Sequence, residues 1–150
     1  VRAREQLTEI RGILKDARYK IKSYKLPVIP KTYFIELNEA KDSISNIVSE
    51  LEKKPIVISD LNTRVDTGRD LVLKIYTLSN ELTKSASMAE MAIVYGNRYR
   101  SSNKEIEVGL VKAESLFRNG QYKKSLETTL DVLNIVEPNI HKKLMNAYEG

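Results

Sequence analysis

The chain has 150 residues, of which 41% are apolar, and it contains no cysteine. This length predicts one domain or one part of a longer rod, and the apolar content is too high for a disordered chain. The lack of cysteine excludes disulfides, thiolate metal sites and cysteine nucleophiles. No apolar run in the sequence is long enough to cross a bilayer. Since the chain starts inside an apparent helix, we expect it to be a fragment of something larger.

The net charge of +5 is concentrated at the start of the chain. Residues 1–31 hold nine basic and three acidic side chains, a balance of +6, whereas residues 32–150 hold 16 and 17, a balance of −1. The basic residues of the first predicted helix are Arg11, Lys15, Arg18, Lys20, Lys22 and Lys25. They predict a solvated helix face, with an acidic or phosphate-bearing partner as the alternative. Nucleic-acid binding is not expected, because only Tyr19 and Tyr24 interleave with these cations.

Two apolar stripes with alternate steps of four and three residues predict two long helices at the start of the chain. The first stripe consists of Ala3, Leu7, Ile10, Leu14, Ala17, Ile21 and Tyr24. The prolines within residues 26–30 end this helix, because proline lacks an amide donor. The second stripe consists of Tyr33, Leu37, Ala40, Ile44, Ile47 and Leu51. Lys53-Lys54-Pro55 ends it, and the short connection favours antiparallel packing.

A third and much longer helix is predicted to follow, with Ser59 as its N-cap and Asp60 in its first turn. Its stripe consists of Leu61, Val65, Gly68, Val72, Ile75, Ser79, Leu82, Ala86, Ala89, Ile93 and Gly96. A helix that continues to about Tyr99 would be about 60 Å long, roughly twice the length of the second helix. The later part of this helix must therefore be covered by the residues that follow it.

The last third of the sequence predicts a helical hairpin and a short final helix. Ser102 and Glu105 have the spacing of a capping box, and Asn119-Gly120 is typical of a helix end. The apolar residues of the two arms are Ile106, Leu110, Ala113 and Phe117, then Tyr122, Leu126, Thr129, Leu133 and Val136. Glu137-Pro138 closes the hairpin. The short last helix is supported by Ile140, Leu144 and Ala147.

These patterns together predict an all-α fold. We expect an elongated antiparallel three-helix bundle with a very long third helix over residues 1–100, and a C-terminal helical hairpin over residues 101–150 docked on the end of that helix. The turn within residues 116–126 resembles the central turn of a tetratricopeptide repeat. Such repeats need about three copies for stability and this one occurs once, so we predict a lone hairpin rather than a peptide-binding repeat.

The sequence offers little for catalysis. His141 is the only histidine, and it stands in the last short helix with no thiol or second imidazole to assist it. Asp66 and Asp70 share one helix face, but Arg64 and Arg69 flank them, and solvated ion pairs are the simpler interpretation. No phosphate-binding glycine loop and no nucleophile elbow occurs in the sequence. We therefore predict that the chain is not an enzyme and binds no metal or cofactor.

The segment most suited to binding a partner lies at the end of the long helix. Its candidate residues are Tyr95, Asn97, Arg98, Tyr99 and Arg100. Tyrosine rings and arginine guanidinium groups at this density are typical of protein–protein hot spots. Alternatively, the arginines complement the helix C-terminus and the tyrosines pack against each other at the i, i+4 spacing. The residues alone do not favour either interpretation.

Three segments resemble the C-terminal region of the EzrA family, the septation ring formation regulators of Gram-positive bacteria. They are residues 89–102 (AEMAIVYGNRYRSS), residues 113–126 (AESLFRNGQYKKSL) and residues 136–138 (VEP). The resemblance implies spectrin-like three-helix repeats on the cytoplasmic side of the membrane, behind one N-terminal membrane helix that is absent here. It also implies binding to the tubulin-like division GTPase FtsZ, restraint or positioning of its ring at the septum, and links to cell-wall synthesis proteins.

The same resemblance places a family patch on Asn97 and Arg98, with Tyr99 and Arg100 beside it, and associates this patch with placement at the division site. A Gln commonly precedes the first Tyr in the family pattern, and Val94 stands there in this chain. We expect no direct membrane contact by the fragment and no nucleic-acid partner. The alternative function is a structural spacer or self-association coiled-coil module that does not bind FtsZ directly.

Overall fold

The computed structural model describes residues 2–149, which form six α-helices and one 3₁₀ turn. The helices are α1 (Arg2–Tyr24), α2 (Lys31–Glu52), α3 (Ile58–Gly96), α4 (Lys104–Arg118), α5 (Tyr122–Leu133) and α6 (Ile140–Glu149), and the 3₁₀ turn is Asn97–Tyr99. No strand occurs among residues 2–149, so the predicted all-α class is confirmed. Within the same residues, no helix combines the length and the apolar character needed to cross a membrane.

The contacts between helices divide the chain into two compact units. Unit 1 contains α1, α2 and α3 as far as Glu81. Unit 2 contains the rest of α3, the 3₁₀ turn and α4 to α6, together with the short segment Leu26–Ile29 that precedes α2. The division of the sequence at residue 100 into two domains stays a prediction.

The core of unit 1 is built from the predicted stripes, with one local difference in α2. The buried residues of α1 are Leu7, Ile10, Leu14, Ala17 and Ile21, as expected. In α2, Ser43 and Glu50 are buried beside the stripe, and the stripe residues Ile44 and Leu51 are half-buried, as are Ala3 and Tyr24 at the two ends of the α1 stripe. Helix α3 approaches α2 closely at Ser43 and Ile47, since a Cβ at Gly68 would lie 2.8 Å from Ile47 Cδ1 and 3.7 Å from Ser43 Oγ.

The polar side chains at these two α2 positions find partners that make their burial tolerable. Ser43 Oγ donates to the carbonyl oxygen of Ala40 at 2.7 Å. One carboxylate oxygen of Glu50, Oε1, accepts from Lys53 Nζ at 3.0 Å and lies 3.8 Å from Arg64 Nε. Burial of a polar residue beside the stripe therefore depends on neighbours that apolar spacing does not show.

The predicted starts of α3 and α4 were both placed on the wrong residue. Ser59 is not the N-cap of α3, because the helix begins at Ile58 and the carbonyl of Val57 takes the first helical hydrogen bond, from the amide of Leu61. Ser102 is not the N-cap of α4, because Asn103 Oδ1 accepts from the amide of Ile106 at 3.1 Å. At α4 the side chain of Asn103 thus satisfies a free amide of the first turn, whereas Ser59 lies one residue inside α3.

The hairpin turn between α4 and α5 has the predicted geometry. Asn119 ends α4, and Gly120 follows with a φ of 83°, a backbone conformation that favours glycine. The amide of Gln121 donates to Leu116 O at 2.9 Å and the amide of Gly120 donates to Phe117 O at 3.0 Å. These two bonds form a Schellman motif, which satisfies the carbonyls at the end of α4.

The core of unit 2 joins the last part of α3 to α4, α5 and α6. Its fully buried members are Ala92, Ile106, Leu110, Leu133, Ile140 and Leu144. Ala147 was also predicted to support the last helix, but it is exposed, because only the first half of α6 contributes buried residues. The buried Tyr122 of α5 donates its hydroxyl to Val28 O at 2.5 Å and accepts from Val28 N at 3.1 Å. These bonds fix the segment Leu26–Ile29 to the hairpin.

Candidate partner-binding site

The candidate site is the turn that follows α3, and its backbone is fixed from inside unit 2. A Cβ at Gly96 would lie 3.0 Å from Leu110 Cδ2 and 3.3 Å from Leu133 Cδ2, so glycine allows α3 to approach the hairpin closely. After Gly96 the chain tightens into the 3₁₀ turn, in which the amide of Arg100 donates to Asn97 O at 3.2 Å. The five candidate side chains therefore emerge from one short and well-packed turn.

Arg100 is engaged by an acidic residue of the hairpin. Its guanidinium donates to Glu114 Oε1 at 2.7 Å and to Glu114 Oε2 at 3.2 Å, a bidentate geometry that arginine favours with carboxylates. It also donates to Asn97 Oδ1 at 3.2 Å. Hydrogen bonding between the two groups raises the pKa of Arg100 and lowers the pKa of Glu114. Arg100 therefore connects the 3₁₀ turn to α4.

The two tyrosine rings of the site contact each other, and Arg98 lies over the ring of Tyr95. The guanidinium carbon of Arg98 lies 3.8 Å from the centre of the Tyr95 ring, within cation–π range. The Tyr95 and Tyr99 rings have centroids 6.5 Å apart with their planes tilted by 54°. Both rings are half-buried and pack against the core of unit 2. The two tyrosine rings therefore pack against the core of unit 2, and Arg98 lies over the Tyr95 ring at the surface.

Glu137 lies beside the tyrosines and acts on their hydroxyl groups. Its carboxylate is the main reason that the pKa of Tyr95 is raised to about 12. In return, the Tyr95 hydroxyl and then Lys143, whose Nζ lies 3.1 Å from Glu137 Oε1, lower the pKa of Glu137. Glu137 Oε2 is buried and has no hydrogen-bond partner among residues 2–149. Tyr95 and Glu137 are therefore coupled, since each is the largest cause of the shift in the other's pKa.

These internal contacts leave two of the five candidate side chains exposed to solvent. Asn97 and Arg98 are exposed, whereas Tyr95, Tyr99 and Arg100 are half-buried. Because the Asn97 side-chain oxygen accepts from Arg100, its amide hydrogens face outward as donors. The structure thus brings all five residues into one turn and divides them into a supporting set and an exposed pair.

An apolar groove of about 180 Å³ lies next to this turn, between α3 and α4. It is lined by Glu90, Ile93, Val94, Glu114, Phe117 and Arg118. Val94, which stands where the family resemblance leads us to expect Gln, is 65% exposed and forms part of the wall of this groove. A valine there offers a partner an apolar surface and no hydrogen bond.

Sequence reasoning missed the acidic half of this site. Glu114 and Glu137 pair with the segment, and Lys143 pairs with Glu137, yet all three lie 14 or more residues beyond Arg100. The only signal in the sequence is that Arg98 and Arg100 have no acidic residue near them within residues 91–104. Among residues 2–149, no group of three potential ligands is arranged to hold a metal ion.

Comparison with known proteins places these features in a family. The sequence model of the family described as "Septation ring formation regulator, EzrA" matches residues 1–148. The chain is similar to the septation ring formation regulator EzrA of Geobacillus sp. (strain WCH70), with 34% identity over 146 residues, which is 97% of this chain and 26% of that protein. The corresponding proteins of Geobacillus kaustophilus and Listeria monocytogenes serotype 4b (strain CLIP80459) are 31% and 30% identical over 147 and 149 residues.

In the latter two proteins the match covers 98% and 99% of this chain and 26% of the relative. The chain therefore spans about a quarter of the length of the curated relatives it matches. No solved structure matches it significantly. Since the family model covers nearly the whole sequence, the chain belongs to the EzrA family of septation ring formation regulators.

Proposed function

We propose that this chain is a non-enzymatic binding module of a cell-division regulator, and that it engages FtsZ through Tyr95, Asn97, Arg98, Tyr99 and Arg100. The observation that carries the proposal is the exposure of Asn97 and Arg98 on a turn whose other side chains are held by internal contacts. A turn that is ordered before binding loses little conformational entropy when a partner docks. Contact with the ring component would restrain or position its assembly at the septum.

The exposed groups are suited to a flexible and partly acidic segment of the partner. The guanidinium of Arg98 lies over the Tyr95 ring and forms no ion pair among residues 2–149, so its N–H groups stay available for a carboxylate. Asn97 adds amide donors, and the groove beside Val94 accepts an apolar side chain of the same segment. Such a contact buries little area and depends on charge, so its affinity should be modest and should fall with salt.

The wider role follows from family membership and from the three helices of unit 1. We infer an elongated, spectrin-like rod on the cytoplasmic side of the membrane at the division septum. Its membrane anchor would lie in a part of the protein outside this chain, and this fragment would not itself touch the bilayer or nucleic acid. Cell-wall synthesis proteins of the divisome would be further partners of the rod.

The experiment that tests this proposal replaces Asn97 and Arg98 together by alanine. The FtsZ C-terminal tail peptide should bind at least about tenfold more weakly, which is the effect of losing one hot spot. Septal localisation should be lost, while helicity and melting temperature stay nearly unchanged because both side chains are exposed. The matched control is Lys142→Ala with Asn146→Ala, an exposed cation and amide on α6.

Two outcomes would contradict the proposal. If the double variant loses much of its thermal stability, the segment is structural. If it binds the peptide and localises as the control does, FtsZ docks elsewhere.

A spacer or self-association module is the second candidate, and it is favoured by a different observation. Ile56, Val57 and Ile58, in the connection from α2 to α3 and at the start of α3, are all exposed apolar side chains. Apolar residues grouped at a surface can mediate contact between copies. Sedimentation with and without the FtsZ tail peptide separates the two functions, since dimerisation without peptide binding would favour the module.

A further inference from the structure

Five basic side chains of α1 share one face of the helix. At about 100° per residue, Arg4, Arg11, Lys15, Arg18 and Lys22 fall within an arc of about 60°, beside the buried stripe. The other charged residues of α1 lie more than about 100° from the centre of that arc, and they are Arg2, Glu5, Glu9, Asp16 and Lys20. All ten side chains are exposed. The five basic side chains therefore give α1 one face of uniform positive charge.

The acidic residues of unit 1 do not neutralise this face. Within residues 2–81, Glu36 pairs with Lys74, and Glu50 pairs with both Lys53 and Arg64. The paired acids of α2 therefore have their partners at the end of α2 and on α3. In α2, the charge of Arg18 affects Tyr33. Burial raises the pKa of Tyr33, and the charge of Arg18 opposes that rise. The α1 cations therefore remain without an acidic partner among the described residues.

Four of the cations surround a shallow groove with an apolar floor. The groove has a volume of about 400 Å³ and is lined by Arg11, Leu14, Lys15, Arg18, Tyr19 and Lys22. Tyr19 is 72% exposed, which is an unusually high fraction for an aromatic residue. The Tyr19 ring and the Leu14 side chain, together with the surrounding cations, form a surface that suits a polypeptide with both apolar and acidic residues.

We propose that this basic groove of α1 is a docking site for an acidic polypeptide segment, bound in an extended conformation. The four cations follow one another every 4.5–6 Å along the helix axis, by the rise of about 1.5 Å per residue. Alternate residues of an extended chain are about 6.6 Å apart and point to the same side. Glutamates at alternate positions can therefore meet successive cations, and the arginines among these offer bidentate donors for the carboxylates.

Two other anionic partners fit this surface less well. A bilayer favours a row of apolar side chains that project from the helix, whereas the apolar stripe of α1, including Leu7 and Leu14, is buried and Tyr19 is the one large apolar side chain exposed within residues 2–24. A nucleic-acid duplex presents two rows of phosphates and favours a broad basic surface. Residues 32–150 carry a balance of −1, so the rest of the chain supplies no excess of positive charge for the second row.

The test measures binding of a fluorescein-labelled peptide of alternating glutamate and alanine by anisotropy, with a glutamine–alanine peptide as the uncharged control. The glutamate peptide should bind at low salt, and binding should weaken strongly as salt rises. Replacing Arg11, Lys15, Arg18 and Lys22 by Glu should weaken it by at least about tenfold, since four ion pairs are lost. Circular dichroism checks the fold, and the corresponding Gln variant replaces the Glu variant if the latter is unfolded.

A matched variant separates the groove from net charge. Replacing the exposed Lys104, Lys112, Lys123 and Lys124 by Glu changes the net charge equally on α4 and α5. This variant should keep most of the affinity, and an equal loss in both variants would overturn the proposal. Tighter binding of a 20-base-pair DNA duplex or of phosphatidylglycerol vesicles, dependent on the four α1 cations, would also overturn it in favour of that partner.

Discussion

The basic side chains of α1 and those of the candidate site differ in their surroundings. In unit 1, ion pairs join Glu36 to Lys74 and Glu50 to Lys53 and Arg64, but the cations of α1 stay at the surface without an acidic partner among the described residues. In unit 2, Arg100 pairs with Glu114, Lys143 pairs with Glu137, and the hydroxyl of Tyr122 donates to Val28 O. The candidate partner site is therefore fixed by specific polar contacts, whereas the position of the α1 cations depends on the apolar stripe of their helix.

The largest effect is expected from removing one buried hydroxyl of unit 2. Tyr122→Phe leaves the amide and the carbonyl of Val28 without their partner, which should reduce the free energy of unfolding by about 1–3 kcal/mol. Tyr33→Phe in unit 1 is the matched control and should change it by less than about 0.5 kcal/mol, because no described hydrogen bond uses that hydroxyl. Equal effects in urea unfolding would remove the distinction between the units.

Gly12 in unit 1 and Gly109 in unit 2 should respond with opposite sign to substitution by alanine. A Cβ at Gly109 would overlap the side chain of Val132, so Gly109→Ala should destabilise the hairpin by about 1–2 kcal/mol after its gain in helix propensity. A Cβ at Gly12 meets nothing within 4 Å, so Gly12→Ala should stabilise α1 by about 0.5–1 kcal/mol. Thermal melting of the two variants checks both signs. Two changes of the same sign would contradict this difference in packing between Gly12 and Gly109.

The Arg100–Glu114 pair should give a smaller and pH-dependent effect. Because Arg100 lowers the pKa of Glu114 below its ordinary value of 4.5, the pair stabilises the fold above that value and loses its effect as pH falls through the folded-state pKa. Glu114→Gln should therefore lower the melting temperature at neutral pH and cease to matter in strong acid. The control is Glu127→Gln at an exposed position, and a difference that persists in strong acid would contradict the ion-pair explanation.

The smallest effect concerns a single proton in the candidate site. Glu137 raises the pKa of Tyr95 from 10.0 to about 12, and burial raises the pKa of Tyr33 and of Tyr122, so Tyr95 should contribute to a late component of an ultraviolet titration. The contribution of the Tyr95–Glu137 contact to stability is complete below pH 10 and is lost as pH rises toward 12. Glu137→Gln should move the Tyr95 part of the late component toward 10, and Tyr95→Phe should remove that part. A late component of unchanged amplitude in Tyr95→Phe would contradict the assignment.

Most helices were predictable because apolar spacing determines them, but their caps and some buried positions were not. Ile10 and Ile47 are buried where their stripes place them. The N-cap at Ser102 was wrong because Asn103 accepts from the amide of Ile106 instead, and the N-cap at Ser59 was wrong because α3 begins one residue earlier. Burial of Glu50 could not be predicted, since it depends on cations that come from other positions along the chain.

The candidate site was found only in part from the sequence, for a similar reason. Its five residues all lie within residues 95–100, so the sequence itself shows them as a cluster. Their division into supporting and exposed side chains depends on Glu114 and Glu137, which only the packing of the hairpin brings to the turn. No pattern within a single helix contains that information.

The central claim is that Asn97 and Arg98 form the surface that contacts FtsZ. A photocrosslinking amino acid placed at position 98, with another at the exposed position 142 as a control, tests it directly when purified FtsZ is added. We predict crosslinks to FtsZ from position 98 and none from position 142. FtsZ that binds the chain but crosslinks only from position 142, or from neither position, would contradict the claim.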